Sequence, residues 1–282
     1  MRILITGADG QLGHELQRAL KDHNLLLGIW PGFDVLKVEA EKQTLEAKAE
    51  VVIHTAAYTD VDGAERDPPI SMAINAEGTE RVARAAAKSG SRLIYLSTDY
   101  VFDGKKNTPY GETDEPNPLN AYGRSKLEGE RRALAYCPNT LVVRSAWMYG
   151  AHGKNFVKTV MQLAHAQPEL RVVTDQRGCP THAGDLADAM ARMLSLDLRG
   201  VVHLTGAGNC TWHEFACAIV SLMGISVTVH PITTAEAKRA APRPAYAVLL
   251  NRVLAKRGIV LPHWKDSLTR FMRVEGGMEV AG

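Results

Sequence analysis

Tyr122 and Lys126 stand four residues apart in the stretch AYGRSKLEGE. On a helix, that spacing puts both side chains on one face. A phenol beside an ammonium group is a proton-transfer pair. Free tyrosine, with a pKa of about 10, exchanges its proton poorly near neutrality. A positive neighbour favours the phenolate and lowers that value. Tyr-x-x-x-Lys also arises by chance, and alone it reads more readily as a surface pair. Two further features change that reading. In YLSTDYVFDG an apolar run delivers Ser97, Thr98 and Asp99 to the carboxyl end of a strand, where open α/β sheets bind ligands. In MRILITGADGQLGHEL, Gly7, Gly10 and Gly13 separate a first apolar run from a first helical pattern. A helix N-terminus offers free N–H groups and a positive dipole end to phosphate. Glycine lets a pyrophosphate come close to the backbone, and the last glycine lets the helix sit close to the sheet. With Gln11 and Leu12, which open the helix, these glycines are the expected dinucleotide cradle. Their G-x-x-G-x-x-G spacing departs from the G-x-G-x-x-G of the commonest dehydrogenases.

Such residues need a scaffold. Apolar, β-branched-rich runs recur at 2–6, 25–30, 50–56, 92–98, 141–146 and 201–206, with helical patterns between most of them. This alternation predicts an α/β fold with a doubly wound parallel sheet. The alternation is continuous to about Ala146 and then loosens. Helical stretches follow at 155–166, 183–195 and 211–223, punctuated later by prolines at 231, 242, 244 and 262. The expected organisation is a dinucleotide-binding domain over 1–146, completed by the strand near 201–206. A smaller, mainly substrate-binding lobe occupies 147–282. The second strand ends GIWPGFDV. It lacks the acid that would hold an adenosine ribose, and no arginine or lysine replaces it. Asp34 is the next acid and the candidate for the adenine side. The choice between NADPH and NADH stays open.

Composition narrows the classes. The 282 residues are 45% hydrophobic and 23% charged, with net charge +2, ordinary values for a globular protein. There is no basic block, so a nucleic-acid partner is not expected. No apolar segment reaches membrane-span length, and glycine and aspartate interrupt the N-terminus before a signal-peptide core could form. A cytoplasmic, reduced protein is expected. The four cysteines, Cys137, Cys179, Cys210 and Cys217, form no Cys-x-x-Cys pair. Cys210, His213 and Cys217 lie close in sequence but lack a fourth ligand at metal spacing. A helix start with thiols packed as small hydrophobes is the better reading.

The set TGADGQLG, STDYVFDG and Tyr122-x-x-x-Lys126 resembles the extended short-chain dehydrogenase/reductase superfamily, which has a Rossmann-type sheet. HTAAYTDVDGAE, PLNAYGRSKLEGE, RSAWMYGAHGKNF, VVTDQRGCPTHAGDLA and TWHEFA narrow the resemblance to the dTDP-4-dehydrorhamnose reductase family, over nearly the whole chain. It implies hydride transfer from a reduced nicotinamide, NADPH or NADH, to the C4 carbonyl of a nucleotide-linked sugar. It implies Tyr122 as proton donor, Lys126 as the group that tunes Tyr122 and holds the nicotinamide ribose, and Thr98 as the hydroxyl that bonds the carbonyl or Tyr122 and fixes the sugar. Ala56, Ala57 and Tyr58 would line the cofactor, and Asn75 would begin and steady a central helix. Asp99, Trp147, Asn155, Gln176, Arg177, Thr181 and Arg243 become candidates for the sugar, base or diphosphate; arginine suits a diphosphate through its fork. Some members dimerise through carboxylates sharing Mg2+, and Glu15 and Asp185 sit where such acids are expected. Glu275, the C-terminal candidate, matches only loosely. The triad does not separate this reaction from that of a related nucleotide-sugar reductase or epimerase. A purely regulatory subunit is disfavoured, because Thr98, Tyr122 and Lys126 are all present.

Overall fold

Six apolar runs become one parallel sheet in the computed structural model, which describes residues 1–275. The strands are β1 (Arg2–Thr6), β2 (Asn24–Gly28), β3 (Val51–His54), β4 (Arg92–Thr98), β5 (Thr140–Ser145) and β6 (Gly200–His203). Their order is β6-β5-β4-β3-β1-β2, and every pair is parallel. The inner strands are buried on both faces, so they read as continuous apolar runs rather than alternating ones. Helices Gln11–Ala19 and Ala183–Met193 pack together on one face, and Glu39–Glu46, Thr79–Ser89 and Ala121–Tyr136 cover the other. Leu12, Leu16, Leu186 and Met190 join Ile3 and Ile5 in the first core layer. Val82, Ala83, Ala86 and Ala133 join Leu4 and Val52 in the second. The chain reverses direction across the sheet between β1 and β3, and this switch point opens the crevice in which α/β sheets bind ligands.

Two local expectations shift. β2 ends at Gly28 rather than residue 30, because the Gly28 carbonyl accepts the N–H groups of Gly7 and Ala8 at 2.9 and 3.2 Å. Ile29 and Trp30 then leave the sheet in a turn closed by the Phe33 N–H on the Ile29 carbonyl. Asn75 does not begin a helix. It lies inside helical structure running from Pro68 to Ser89, in a wider π-helical segment at Ala73–Gly78. Insertions of this kind are common at functional positions.

After β5 a second cluster forms from Tyr149, Val157, Val160, Phe215, Ile219, Leu268 and Phe271. It lies among helices Phe156–Ala166, Trp212–Met223 and Trp264–Glu275. A parallel strand pair, Glu169–Val173 with Thr228–Ile232, flanks it. The side chain of Glu275 and residues 276–282 lie outside the described part of the chain. Among the described residues, no helix is long and apolar enough to cross a membrane.

Candidate active site

The glycine turn sits at the switch point. Gly7 has φ +68°, and a Cβ there would stand 2.7 Å from the Ala56 nitrogen. Both facts demand glycine. A Cβ on Gly13 would collide with the Gly7 carbonyl and Ala8, so Gly13 serves the close seating of helix on turn. Gly10 caps that helix with no side-chain hydrogen bond, which leaves its first N–H groups facing the crevice. This cradle fits a dinucleotide phosphate.

One cleft of about 730 Å³ runs from this turn to the end of β4. Gly7, Gly10, Gln11, Leu12, Asp34, Ala56, Ala57, Thr98, Asp99, Tyr122, Lys126 and Trp147 all line it. The helix bearing Tyr122 and Lys126 starts at Asn120, whose Oδ1 accepts the Gly123 N–H at 2.7 Å and whose Nδ2 donates to the Pro242 carbonyl. Asn75 steadies the same helix: its Nδ2 donates to Ser125 Oγ and to the Tyr58 carbonyl, and its Oδ1 accepts the Tyr58 N–H. Tyr58 thus holds the loop after β3 and does not line the cleft.

The chemistry-bearing groups are buried. Burial raises the Tyr122 phenol above its ordinary value, and the nearby Thr98 side chain opposes that rise; the phenol is in its proton-donating form. The Thr98 hydroxyl also donates to Asp99 Oδ1 at 3.0 Å and accepts the Tyr100 N–H. Lys126 is 3% exposed. Its Nζ donates to the Leu96 carbonyl at 2.7 Å and lies 4.2 Å from the centre of the Tyr95 ring. Burial brings it down to about 7 against the opposing pull of Glu130. Burial takes Asp99 up to about 7, and its Oδ2 has no hydrogen-bond partner among the described residues. Neighbouring strand residues point to opposite faces. Accordingly the Ser97 hydroxyl is taken up by Glu130, to which it donates, while the Thr98 hydroxyl turns to Asp99.

The far wall is aromatic. Trp147, with φ +45°, stacks on Trp212 with ring centres 3.4 Å apart and planes 6° from parallel. Trp212 also lines the cleft, as do Trp30 and Lys154, none of them singled out from the sequence. TWHEFA signals a helix start, and the capping box of Thr211 and Glu214 confirms that local reading. Its tryptophan joins the wall only through the fold, by stacking on Trp147.

Other expected residues are engaged elsewhere. Asn155 caps the helix at Phe156 and donates to Gln11 Oε1. Gln176 donates to Thr234, Arg177 to Asn209 and Glu214, and the Thr181 hydroxyl accepts the Gly206 N–H. Arg243 places two guanidinium nitrogens on Asp62, at 3.1 and 3.0 Å. None of these five lines the cleft. Asp185 is held by Ser267 at 2.5 Å and Arg270 at 2.8 Å. Burial opposes its ionisation, yet hydrogen bonds from His182, Ser267 and Arg270 keep it down at about 2. Glu15 pairs with Arg18. Among the described residues, no three His, Cys, Asp or Glu side chains converge as a metal site. His213 bonds the Val229 carbonyl.

A glycine turn at the switch point and a hydroxyl–tyrosine–lysine set across the cleft define an oxidoreductase of the extended short-chain dehydrogenase/reductase class. Comparison with known proteins narrows this. The family model described as the RmlD substrate binding domain matches residues 1–275. A dTDP-4-dehydrorhamnose reductase of Sinorhizobium fredii is 40% identical, over 96% of this chain and 97% of its own. A probable dTDP-4,6-dihydroxy-2-methyloxan-3-one 4-ketoreductase of Streptomyces antibioticus is 39% identical over 95% and 93%. The structure of the Bacillus anthracis dTDP-4-dehydrorhamnose reductase in complex with NADP superposes with TM-score 0.94 at 37% identity, covering 97% of this chain and 99% of that one. The chain belongs to the dTDP-4-dehydrorhamnose reductase family.

Proposed function

We propose that this protein reduces the C4 carbonyl of dTDP-4-dehydro-β-L-rhamnose to give dTDP-L-rhamnose, the last step of dTDP-rhamnose synthesis. The observation that carries the reading is the placement of Thr98, Tyr122 and Lys126 across one cleft from the Gly7–Gly13 turn. The relatives of that name, similar over almost their whole length, support it. When bound, a reduced nicotinamide supplies the hydride. Tyr122 gives its proton to the carbonyl oxygen as negative charge develops there. Thr98 orients that oxygen and Tyr122 together. Lys126 uses one of its three donors on Leu96, leaving two for a cofactor ribose. Asp99, with an unpartnered oxygen, receives a sugar hydroxyl, and the Trp147–Trp212 wall packs against the sugar's apolar face.

Residues 1–146 with β6 act as the dinucleotide half, and 147 onward act mainly as the substrate lobe. Arg177 and Arg243 remain the diphosphate candidates, acting after release from Glu214 and Asp62. NADPH and NADH are both taken, since neither an acid nor a cation stands at the end of β2. The enzyme works in the cytoplasm and associates as a homodimer. With Asp185 under Arg270 and Glu15 under Arg18, the pair does not fit a shared magnesium ion, and no step here uses one.

The test is cofactor oxidation with dTDP-4-dehydrorhamnose made in situ from dTDP-glucose. Sugar-dependent oxidation of either cofactor, with dTDP-L-rhamnose as product, is expected. Oxidation only with a different keto nucleotide sugar would favour the alternative to which the Streptomyces antibioticus relative points. Cofactor binding without turnover on any such sugar would sink the enzymatic reading.

A further inference from the structure

Glu130 lies one helical turn beyond Lys126, buried beneath the cleft and outside it. The Ser97 hydroxyl donates to its Oε1 at 2.5 Å. Arg144 on β5 donates to Oε1 at 2.8 Å and to Oε2 at 2.6 Å. The Arg144 and Glu130 side chains are 4% and 3% exposed. Lys126 and Glu130 therefore grip consecutive residues of β4, Leu96 and Ser97. The next residue, Thr98, lines the same cleft as Tyr122. Tyr122, Lys126 and Glu130, at i, i+4 and i+8, form one row along the helix against three successive strand positions.

The row has an electrostatic side as well. A buried ammonium without an opposing charge loses its proton. Lys126 is faced by the Tyr95 ring from β4, by His54 from β3, and by Glu130 from its own helix. Glu130 is faced by Ser97, Arg144, Lys126 and Tyr95. His54 is held neutral, at about 3, by burial and by the charge of Lys126, so it offers no negative charge. Glu130 does.

We propose that Glu130 is a positioning residue for proton transfer: it sets the register of the Tyr122 helix on β4 and keeps the Lys126 ammonium charged. The proposal rests on the reading of Tyr122 and Lys126 as the proton-transfer pair. A merely structural ion pair would behave differently: breaking it would lower stability and leave the pH dependence of turnover alone.

The experiment is the pH profile of kcat/KM for sugar-dependent NADPH oxidation, set beside Tm, in the full-length enzyme. Glu130→Gln keeps the shape of the contacts and removes the charge. It should bring the alkaline limb down by about one pH unit, the order of magnitude for losing one opposing charge. Turnover above that limb should fall roughly tenfold, with KM little changed. Ser97→Ala, which removes one of three contacts and leaves the pair intact, should move the limb less and in the same direction. Glu130→Gln combined with Arg144→Met removes both buried charges and, even if the single variant folds poorly, should move the limb in the same direction by a smaller amount, because the Arg144 cation goes with the Glu130 anion. Profiles that superimpose on wild type in these variants, whatever happens to Tm, overturn the proposal. A Tyr122→Phe control separates the two ideas: full turnover there would refute the proton-transfer reading itself, whereas lost turnover with unmoved profiles would refute only the role of Glu130.

Discussion

Asp99 shows what one buried carboxyl does to the whole protein. It is 1% exposed, and burial raises it from 3.8 to about 7. The folded state therefore binds a proton that the unfolded chain releases. The stability this confers is fully present below about 3.8 and is lost as pH rises through about 7, up to about 4 kcal/mol. Two buried histidines run the other way. His54 and His203 are lowered by burial to about 3 and about 4, so they add stability as pH rises toward 6.5. The difference between wild type and Asp99→Asn cancels them. In denaturant melts of the cofactor-free protein, wild type should be the more stable form near pH 4 and lose that advantage by pH 8. A difference that does not vary with pH would show that Asp99 ionises freely in the folded state.

At the scale of elements, the helix from Ala121 to Tyr136 is the part that must not move. Asn75 ties it to the loop after β3 through three hydrogen bonds of 2.8 to 3.0 Å in a buried setting. Asn75→Ala leaves the Tyr58 backbone groups and Ser125 without these partners, which should cost about 2–4 kcal/mol in a denaturation experiment. Turnover should fall more than cofactor affinity; unchanged stability would mean that water replaces the amide. The local signals of this element are legible in the sequence. Tyr-x-x-x-Lys and the glycine turn are short-range patterns, fixed by helix periodicity and by backbone clashes within a few residues. Which of Ser97 and Thr98 faces Tyr122 is not legible, because alternation along β4 says only that they differ, and the register against the helix decides. Trp212 escapes for a similar reason: it meets Trp147 across 65 positions of sequence, and nothing near either tryptophan marks the stack.

A few long-range ties join distant parts of the chain. Asn155 reaches Gln11, Asn120 reaches Pro242, and Arg243 reaches Asp62, which lies 181 positions away. Pairings at such separations leave no spacing pattern to read, and so Arg243 looks from the sequence like a free diphosphate ligand. Its side chain and that of Asp62 are 16% and 19% exposed, sheltered enough for charged hydrogen bonds to count. Arg243→Ala should cost about 1.5–3 kcal/mol and raise KM for the sugar several-fold more than it raises the Kd for NADPH. Parallel changes in both constants would mean that the tie supports the fold generally rather than sugar binding.

The central claim is that Tyr122 gives the proton from a site built across one cleft. The most direct measurement is sugar-dependent NADPH oxidation by Tyr122→Phe beside NADPH binding to the same variant. The account predicts wild-type binding and a loss of turnover of 10²-fold or more, the scale on which general acids contribute. Full turnover in a variant that lacks the phenol would contradict it.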